Sequence, residues 1–261
     1  METHGTTSAI QYKGIITKMS KYNPWPLGKL PANFRRPEIS MLEEAGYEIN
    51  DPRDAVTIFE NKIAEYAGSK YAVAVDSCTN SIFLSLKYLK ATEQITFPSR
   101  TYVSAPMAAI LAGCDIKFVD YEWSGTYRLD PYPVVDSAVR FTKGMYEKGT
   151  LQCLSFQIKK RLPIGKGGMI LTDDPEANRW FRSALFEGRH LESPYDEDEF
   201  EFIGHNMYMT PEDAARGILL FEQLAEEHPD SCTHADYHDL TTKQIFKNGD
   251  FLRERDSEYL L

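Results

Sequence analysis

One apolar segment constrains the fold of this chain more than any other part of its sequence. Residues 71–75 read Tyr-Ala-Val-Ala-Val, and polar residues follow directly at 76–80. A continuous apolar run of this kind is typical of a strand that is buried on both faces, as in a sheet covered by helices on each side. Apolar residues recur at helical spacing before it, over 55–67, and after it, over 82–89. The segment therefore predicts an α/β fold.

The same alternation continues along the chain. Short apolar runs predict strands, and Gly or Pro positions separate them from amphipathic segments that predict helices. The predicted strands are 95–97, 116–119, 134–135, 151–156 and 168–171, with helices near 103–111, 175–185 and 211–224 and a loop over 123–133. This order predicts a three-layer sandwich with a mainly parallel sheet and helices on both faces.

Three regions differ in character along the chain. Residues 1–50 contain Pro24, Pro26, Pro31 and Pro37 and have weak periodicity, which predicts an irregular N-terminal arm. Residues 51–230 carry the alternating pattern and form the predicted large domain. Residues 231–261 are polar and weakly helical, which predicts a small C-terminal remnant.

Charge and cysteine content exclude several classes of protein. The formal net charge is -10, which argues against a general nucleic-acid binder because such proteins carry a basic face. The four cysteines are widely scattered and lack the spacing of a zinc site, so we expect no metal centre and a reducing, cytoplasmic location. The polar N-terminus predicts no signal peptide, and the apolar runs are too short to span a membrane.

A basic turn lies between the last two predicted strands. It follows Ser155 and contains Lys159, Lys160 and Lys166 before a glycine pair at 167–168. One of these lysines could act as a nucleophile if it were partly desolvated in a site. The alternative is a solvated basic turn with no chemical role. The residues by themselves do not select one of the three lysines.

Two further features could belong to the same site. Asp136 follows a predicted strand, and ligands of open α/β sheets bind at the carboxyl ends of strands. Thr79 and Asn80 open a predicted helix, whose free N–H groups could bind an anion. Simpler interpretations are that Asp136 caps a helix or forms a surface ion pair, and that Ser77 or Thr79 only caps the helix.

Several ordered motifs resemble those of the DegT/StrS-type sugar aminotransferases, which are pyridoxal phosphate (PLP) enzymes of fold type I. The resemblance covers residues from about 25 to 230, and the chain looks like a shortened member of the family. The matching segments are Phe59–Val75, Ser77–Asn80, Phe97–Ser104, Val135–Ala138, Ser155–Lys160, Gly165–Ile170 and Gly204–Met209. The family has Ser-Gly-Thr-Ala at the second of these segments and Gly-Glu-Gly-Gly-Met-Ile at the sixth.

The resemblance implies a role for each matched residue. Lys160 keeps the family's spacing from Ser155, so it is the lysine expected to form the internal aldimine with PLP, and Asp136 is expected to pair with the pyridine nitrogen. Tyr102 is expected to stack on the cofactor ring. The phosphate is expected to contact Thr79, Asn80, Ser155 and, from a neighbouring subunit, Asn206. A homodimer follows from this last expectation.

The implied reaction is transamination of a keto-sugar nucleotide with a glutamate-like amino donor. The chain also departs from the family: a strand–helix–strand unit is missing between residues 119 and 134, Val139 replaces a glutamine, and Tyr208 replaces an arginine. Because the chain ends at Leu261, most of the small C-terminal domain is expected to be missing. Two alternatives therefore stay open. One is a non-catalytic binding or regulatory subunit, and the other is a PLP enzyme that catalyses decarboxylation or elimination of an amino-acid-derived substrate.

Overall fold

The computed structural model describes residues 35–191, 193–225 and 229–247. The described residues from Glu38 onward form one compact unit. Its helices are α1 (Glu38–Glu44), α2 (Asp54–Ala67), α3 (Cys78–Tyr88), α4 (Ser104–Ala112), α5 (Pro175–Ala184), α6 (Pro211–Phe221) and α7 (Gln244–Lys247). Its strands are β1 (Tyr71–Val75), β2 (Ile95–Pro98), β3 (Ile116–Val119), β4 (Tyr127–Arg128), β5 (Val134–Asp136), β6 (Leu151–Ser155) and β7 (Gly168–Thr172).

The α/β fold is confirmed, but the sheet is mixed rather than mainly parallel. Five strands lie in the order β1-β7-β6-β5-β4, and β2 and β3 form a separate parallel pair. Within the five-stranded sheet only β5 and β6 are parallel, whereas β7 is antiparallel to both of its neighbours. The basic turn over 156–167 joins β6 to β7 without a helix, whereas parallel neighbours are usually joined by a helical crossover.

Helices cover both faces of the five-stranded sheet, as the apolar run in β1 predicts. Val73 and Val75 belong to a core that includes residues of α3, α4 and α5. Ala72 and Ala74 belong to a second core that includes residues of α1, α2 and α6. Adjacent side chains of one strand thus enter opposite cores, which explains why the run is apolar at every position.

Two helix boundaries are defined by residues with known roles at helix ends. Gly68 ends α2 with a φ of 82°, in the left-handed region that glycine adopts without a steric penalty. At α6, the Thr210 hydroxyl accepts a hydrogen bond from the Asp213 N–H, and Pro211 occupies the first helical position. Both helices bury apolar residues in the same core.

The segment over 123–133 is more ordered than its sequence predicts. It contains β4, in which Tyr127 pairs with Asp136 of β5 in antiparallel register. Three residues after Tyr127, the Asp130 carbonyl accepts a hydrogen bond of 2.9 Å from the Thr96 N–H of β2. This segment therefore connects β5 to the β2–β3 pair. The absence of a strand–helix–strand unit at this point of the chain, which the family resemblance implies, stays a prediction.

The predicted terminal regions are only partly described. Most of the predicted arm, residues 1–34, lies outside the described residues, and within the rest α1 is a helix that buries Leu42. Residues 229–247 contain two 3-10 turns, His234–Asp236 and Leu240–Thr242, followed by α7. The division into an arm, a large domain and a C-terminal remnant stays a prediction.

The next features concern membrane-spanning helices, metal ligands and cysteines in the described residues. None of the helices there is both long enough and apolar enough to cross a membrane. Within the same residues, no group of three or more His, Cys, Asp or Glu side chains could hold a metal ion. Cys78, Cys114 and Cys153 are buried, and Cys232 is half-buried.

Candidate active site

The predicted site residues converge on one cavity of about 490 Å³. It lies where β5 and β6 end and α3 begins. Five of the seven residues expected from the sequence line it: Thr79, Tyr102, Asp136, Ser155 and Lys160. The other two, Asn80 and Asn206, make their hydrogen bonds elsewhere. The cavity is thus the candidate active site.

The three lysines of the turn differ in their surroundings. All three line the cavity, but Lys159 and Lys166 are exposed whereas Lys160 is half-buried. Lys166 forms an ion pair of 3.1 Å with Asp76. Burial raises the pKa of the Asp136 carboxyl, and the positive charge of Lys160 acts in the opposite direction. Among the three, Lys160 is therefore the amine that combines partial burial with an electrostatic interaction with Asp136.

Asp136 is buried and accepts hydrogen bonds at both carboxylate oxygens. The Tyr127 hydroxyl donates to Oδ2 at 2.6 Å, and the Ala138 N–H donates to Oδ1 at 2.9 Å. Both bonds favour the ionised carboxyl and oppose the upward pKa shift that burial causes. The Tyr127 hydroxyl also lies 2.7 Å from the Thr101 Oγ1. Sequence reasoning missed Tyr127 because a two-residue strand leaves no periodic signal.

The start of α3 supplies polar groups to the cavity. Ser77 is the N-cap, and its Oγ accepts a hydrogen bond from the Asn80 N–H at 3.2 Å, so the simpler capping interpretation is confirmed for Ser77. The Thr79 hydroxyl donates to the Ser104 Oγ at 2.8 Å. Backbone N–H groups in the first turn of a helix attract anions, so Thr79 occupies a position suited to a phosphate.

Asp76 changes the surroundings expected for Asn80. The Asn80 Nδ2 donates to the Asp76 Oδ1 at 2.7 Å, and the Lys166 Nζ donates to the Asp76 Oδ2 at 3.1 Å. The Asn80 side chain is thus held by a carboxylate beside the cavity. The amide has a second N–H donor, so this hydrogen bond does not by itself prevent a contact with a phosphate.

Asn206 lies in a second cavity of about 320 Å³, which Lys166 and Asp76 also line. Its Nδ2 donates to the Glu187 Oε1 at 2.5 Å. Within one chain Asn206 does not line the cavity that holds Lys160. Its expected contact with a neighbouring subunit stays a prediction.

The C-terminal segment forms one wall of the candidate site. Ser231, Cys232 and Tyr237 line the cavity, and the Tyr237 ring lies 5.6 Å from the ring of Trp123. A bidentate ion pair between Arg140 and Asp230 holds the start of this segment, with distances of 2.9 and 2.7 Å. No motif in the sequence indicates this wall, because its residues come from a polar segment without periodicity.

Comparison with known proteins identifies the family. The sequence pattern of the DegT/DnrJ/EryC1/StrS aminotransferase family matches residues 45–146 and 141–240. The chain belongs to this family. The predicted family is therefore confirmed, and it is a family of PLP-dependent aminotransferases.

Individual relatives agree with this assignment. The chain is 26% identical over 263 residues to the spore coat polysaccharide biosynthesis protein SpsC of Bacillus subtilis, covering 80% of this chain and 66% of SpsC. It is 21% identical over 249 residues to the UDP-4-amino-4,6-dideoxy-N-acetyl-beta-L-altrosamine transaminase of Campylobacter jejuni, covering 78% of this chain and 65% of that protein. The chain thus spans slightly less than two thirds of each of these relatives.

A solved structure supports the fold. AtS13 from Actinomadura melliaura matches with a TM-score of 0.61 and 20% sequence identity, covering 71% of this chain and 63% of AtS13. At this level of identity the match concerns the fold alone. It agrees with the α/β fold described above.

The residues that line the cavity fit PLP chemically. They provide a half-buried amine at Lys160, a buried carboxylate at Asp136, an aromatic ring at Tyr102, and hydroxyls at Thr79 and Ser155. A carboxylate suits a pyridinium nitrogen, and hydroxyls beside a helix N-terminus suit a phosphate. The donor set of this cavity is therefore compatible with the cofactor of the family.

Proposed function

We propose that this chain is a PLP-dependent aminotransferase that transfers an amino group from a glutamate-like donor to a keto-sugar nucleotide. The observation that carries the proposal is the joint presence of half-buried Lys160 and buried Asp136 in one cavity. Membership of the aminotransferase family supports the class of reaction. The sugar substrate is proposed by analogy with the relatives, whose names refer to polysaccharide biosynthesis and a sugar transaminase.

Lys160 and Asp136 would divide the chemistry between them. When bound, PLP would act as an electron sink for the carbon that loses or gains the amino group. Lys160 would hold the cofactor covalently, and its Nζ would be the base that removes a proton from the substrate carbon and returns it. Asp136 would hold a proton on the pyridine nitrogen through a direct ion pair.

The remaining residues would bind and orient. The hydroxyls of Thr79 and Ser155, with the first turn of α3, would bind the phosphate. The Tyr102 side chain is 62% exposed at the cavity, where its ring could cover one face of a bound pyridine. We further propose a homodimer in which Asn206 of one subunit completes the phosphate site of the other, and a cytoplasmic location.

Covalent attachment to Lys160 can be tested directly. Purified protein with added PLP would be reduced with borohydride, and the modified lysine would be located by mass mapping of peptides. We expect the label on Lys160, and its loss in Lys160→Ala, while Lys159→Ala and Lys166→Ala keep it. Labelling of Lys159 or Lys166 in the unaltered protein would contradict the assignment.

Turnover would distinguish the proposal from its alternatives. Glutamate added to the PLP-loaded protein should convert the cofactor to its amine form, and a keto-sugar nucleotide should reverse that conversion. Release of carbon dioxide or ammonia without formation of an amino sugar would favour a decarboxylase or an eliminating enzyme instead.

A non-catalytic homologue is a second candidate, and Asp76 is the observation that favours it. Its carboxylate lies beside the proposed phosphate site and holds both Asn80 and Lys166. A negative charge there would weaken the binding of a phosphate. Protein that binds a nucleotide sugar but converts no amino donor would support this second candidate.

A further inference from the structure

Tyr127 makes a short hydrogen bond to the buried carboxylate of the candidate site. Its hydroxyl donates to the Asp136 Oδ2 at 2.6 Å, within the range of roughly 2.5–2.7 Å typical of a hydroxyl bound to a charged carboxylate. Tyr127 is 6% exposed and Asp136 is 7% exposed. Water therefore competes little for this bond, and the loss of the hydroxyl would leave the carboxylate without that donor.

Thr101 extends this contact into a chain of hydrogen bonds. Its Oγ1 lies 2.7 Å from the Tyr127 hydroxyl, and either oxygen of that pair could donate. A tyrosine has one hydroxyl proton, and an ionised carboxylate only accepts. When Asp136 is ionised, Tyr127 must donate to Asp136, and Thr101 must donate to Tyr127. The three buried groups then form a chain of hydrogen bonds that ends at the carboxylate.

Several other titratable groups face this carboxylate. Burial raises the pKa of Asp136, and the bonds from Tyr127 and Ala138 and the charge of Lys160 oppose that effect. Burial, followed by the nearby Asp136 charge, raises the pKa of the Tyr127 hydroxyl well above its ordinary value, so Tyr127 stays a proton donor. The other groups with an electrostatic interaction with Asp136 are Cys78 of α3, Cys153 of β6 and Tyr237 of the C-terminal wall.

The backbone explains why Tyr127 reaches this position. Pairing of β4 with β5 places Tyr127 directly opposite Asp136. The Leu129 N–H donates to the Val134 carbonyl at 2.8 Å, and the Asp130 carbonyl accepts from Thr96 of β2. Contacts on both sides thus hold the segment that carries Tyr127 between β5 and β2.

We infer that Tyr127 is a positioning residue, which holds the Asp136 carboxylate in a fixed orientation toward the cavity. The inference rests on the proposed function, in which that carboxylate pairs with the pyridine nitrogen of PLP. Each carboxylate oxygen has two acceptor positions, so the bonds from Tyr127 and Ala138 leave room for a further donor from the cavity. Tyr127 therefore supports an ion pair with the cofactor without occupying its place.

The test compares Tyr127→Phe with Tyr132→Phe. Tyr132 belongs to the same segment, but its hydroxyl accepts from the Thr92 and Glu93 N–H groups, away from Asp136. The Asp136 carboxyl would be titrated by carbon NMR in the protein without cofactor, with Asp136→Asn for assignment. Tyr127→Phe should increase the proton affinity of this carboxyl by about tenfold or more, because a bond to a charged group is lost. Tyr132→Phe should leave it unchanged.

Binding of PLP provides the second measurement. Its dissociation constant should rise about tenfold in Tyr127→Phe and stay the same in Tyr132→Phe. If the Asp136 titration is the same in Tyr127→Phe and in the unaltered protein, the inference is overturned. If the unaltered protein fails to attach PLP at Lys160, the proposed function fails, while the NMR result still decides the role of Tyr127.

Two milder variants cover the case in which Tyr127→Phe fails to fold. Thr101→Val removes the hydroxyl that orients Tyr127, and Thr101→Ser keeps it. We expect Thr101→Val to shift the Asp136 titration in the same direction as Tyr127→Phe, by a smaller factor, and Thr101→Ser to restore it. Equal titrations in Thr101→Val and Thr101→Ser would contradict an ordered chain of hydrogen bonds.

Discussion

Gly168 gives the sharpest test of how the fold builds the candidate site. It begins β7 and pairs with Val75 of β1 on one side and Ser155 of β6 on the other. A Cβ at this position would lie 2.4 Å from the Ser77 carbonyl carbon and 2.5 Å from the Cys78 nitrogen. Ordinary carbon contacts are about 3.5–4.0 Å, so Gly168→Ala requires a backbone shift of roughly 1 Å.

The expected loss of stability follows from this geometry. Overpacking in a core costs about 1–3 kcal/mol, and the upper value applies here because the obstructing atoms are backbone. Replacing glycine also restricts the unfolded chain, which offsets about 0.4–1 kcal/mol. We therefore expect a net loss of about 2 kcal/mol, which corresponds to a fall in Tm of about 4–8 °C for a chain of this size.

The neighbouring glycine provides the control. A Cβ at Gly167 would lie 2.9 Å from the terminal methyl of Met209, which is the flexible end of a side chain and can move. Thermal denaturation of both variants without cofactor should show a clearly larger fall in Tm for Gly168→Ala. PLP should also bind more weakly to this variant, since the start of α3 is displaced. Equal Tm values for the two variants would refute the reasoning.

Two further predictions concern charged groups. Arg182→Ala removes the ion-pair partner of buried Glu60, whose pKa is raised by burial and lowered by Arg182. We expect the free energy of unfolding, measured with urea at pH 8, to fall by roughly 3 kcal/mol. The folded-state pKa of Glu60 is raised, so its contribution to stability is fully present below the unfolded pKa and disappears as the pH rises through the folded pKa. The destabilisation by Arg182→Ala should therefore be smaller at pH 5 than at pH 8. A destabilisation that is the same at both pH values would contradict this reasoning. Asp76→Ser removes the hydrogen bonds to Asn80 and Lys166 and a negative charge near the proposed phosphate site. Equilibrium titration should therefore show PLP binding that is roughly 3- to 10-fold tighter. An unchanged affinity would argue against a phosphate at this position.

The sequence predicted structure correctly where a short segment is compatible with one local structure only. The continuous apolar run at Tyr71–Val75 requires burial on both faces, and the structure buries alternate residues in two different cores. Gly68 and Thr210 likewise mark helix ends through backbone conformation and capping. Such signals depend on neighbours in the chain, so one sequence is enough to interpret them.

Strand direction and partner choice lacked such a signal. Apolar character in β7 predicts burial but is the same for a parallel and an antiparallel strand, so the mixed sheet was not apparent. Tyr127 contacts a residue nine positions away through a two-residue strand, and the wall at Tyr237 approaches the cavity from more than 100 positions further along. Contacts of this kind depend on topology, which local patterns do not specify.

The connection between β3 and β5 has a chemical consequence as well as a topological one. Because β4 lies beside β5 in antiparallel register, the residue opposite Asp136 is determined by this connection. A hydroxyl there supplies a donor to a carboxylate that burial would otherwise favour in its protonated form. A phenylalanine at the same position would fill the space equally well and leave Asp136 without that donor. The identity of residue 127 therefore bears on whether Asp136 can act as an anion in the site.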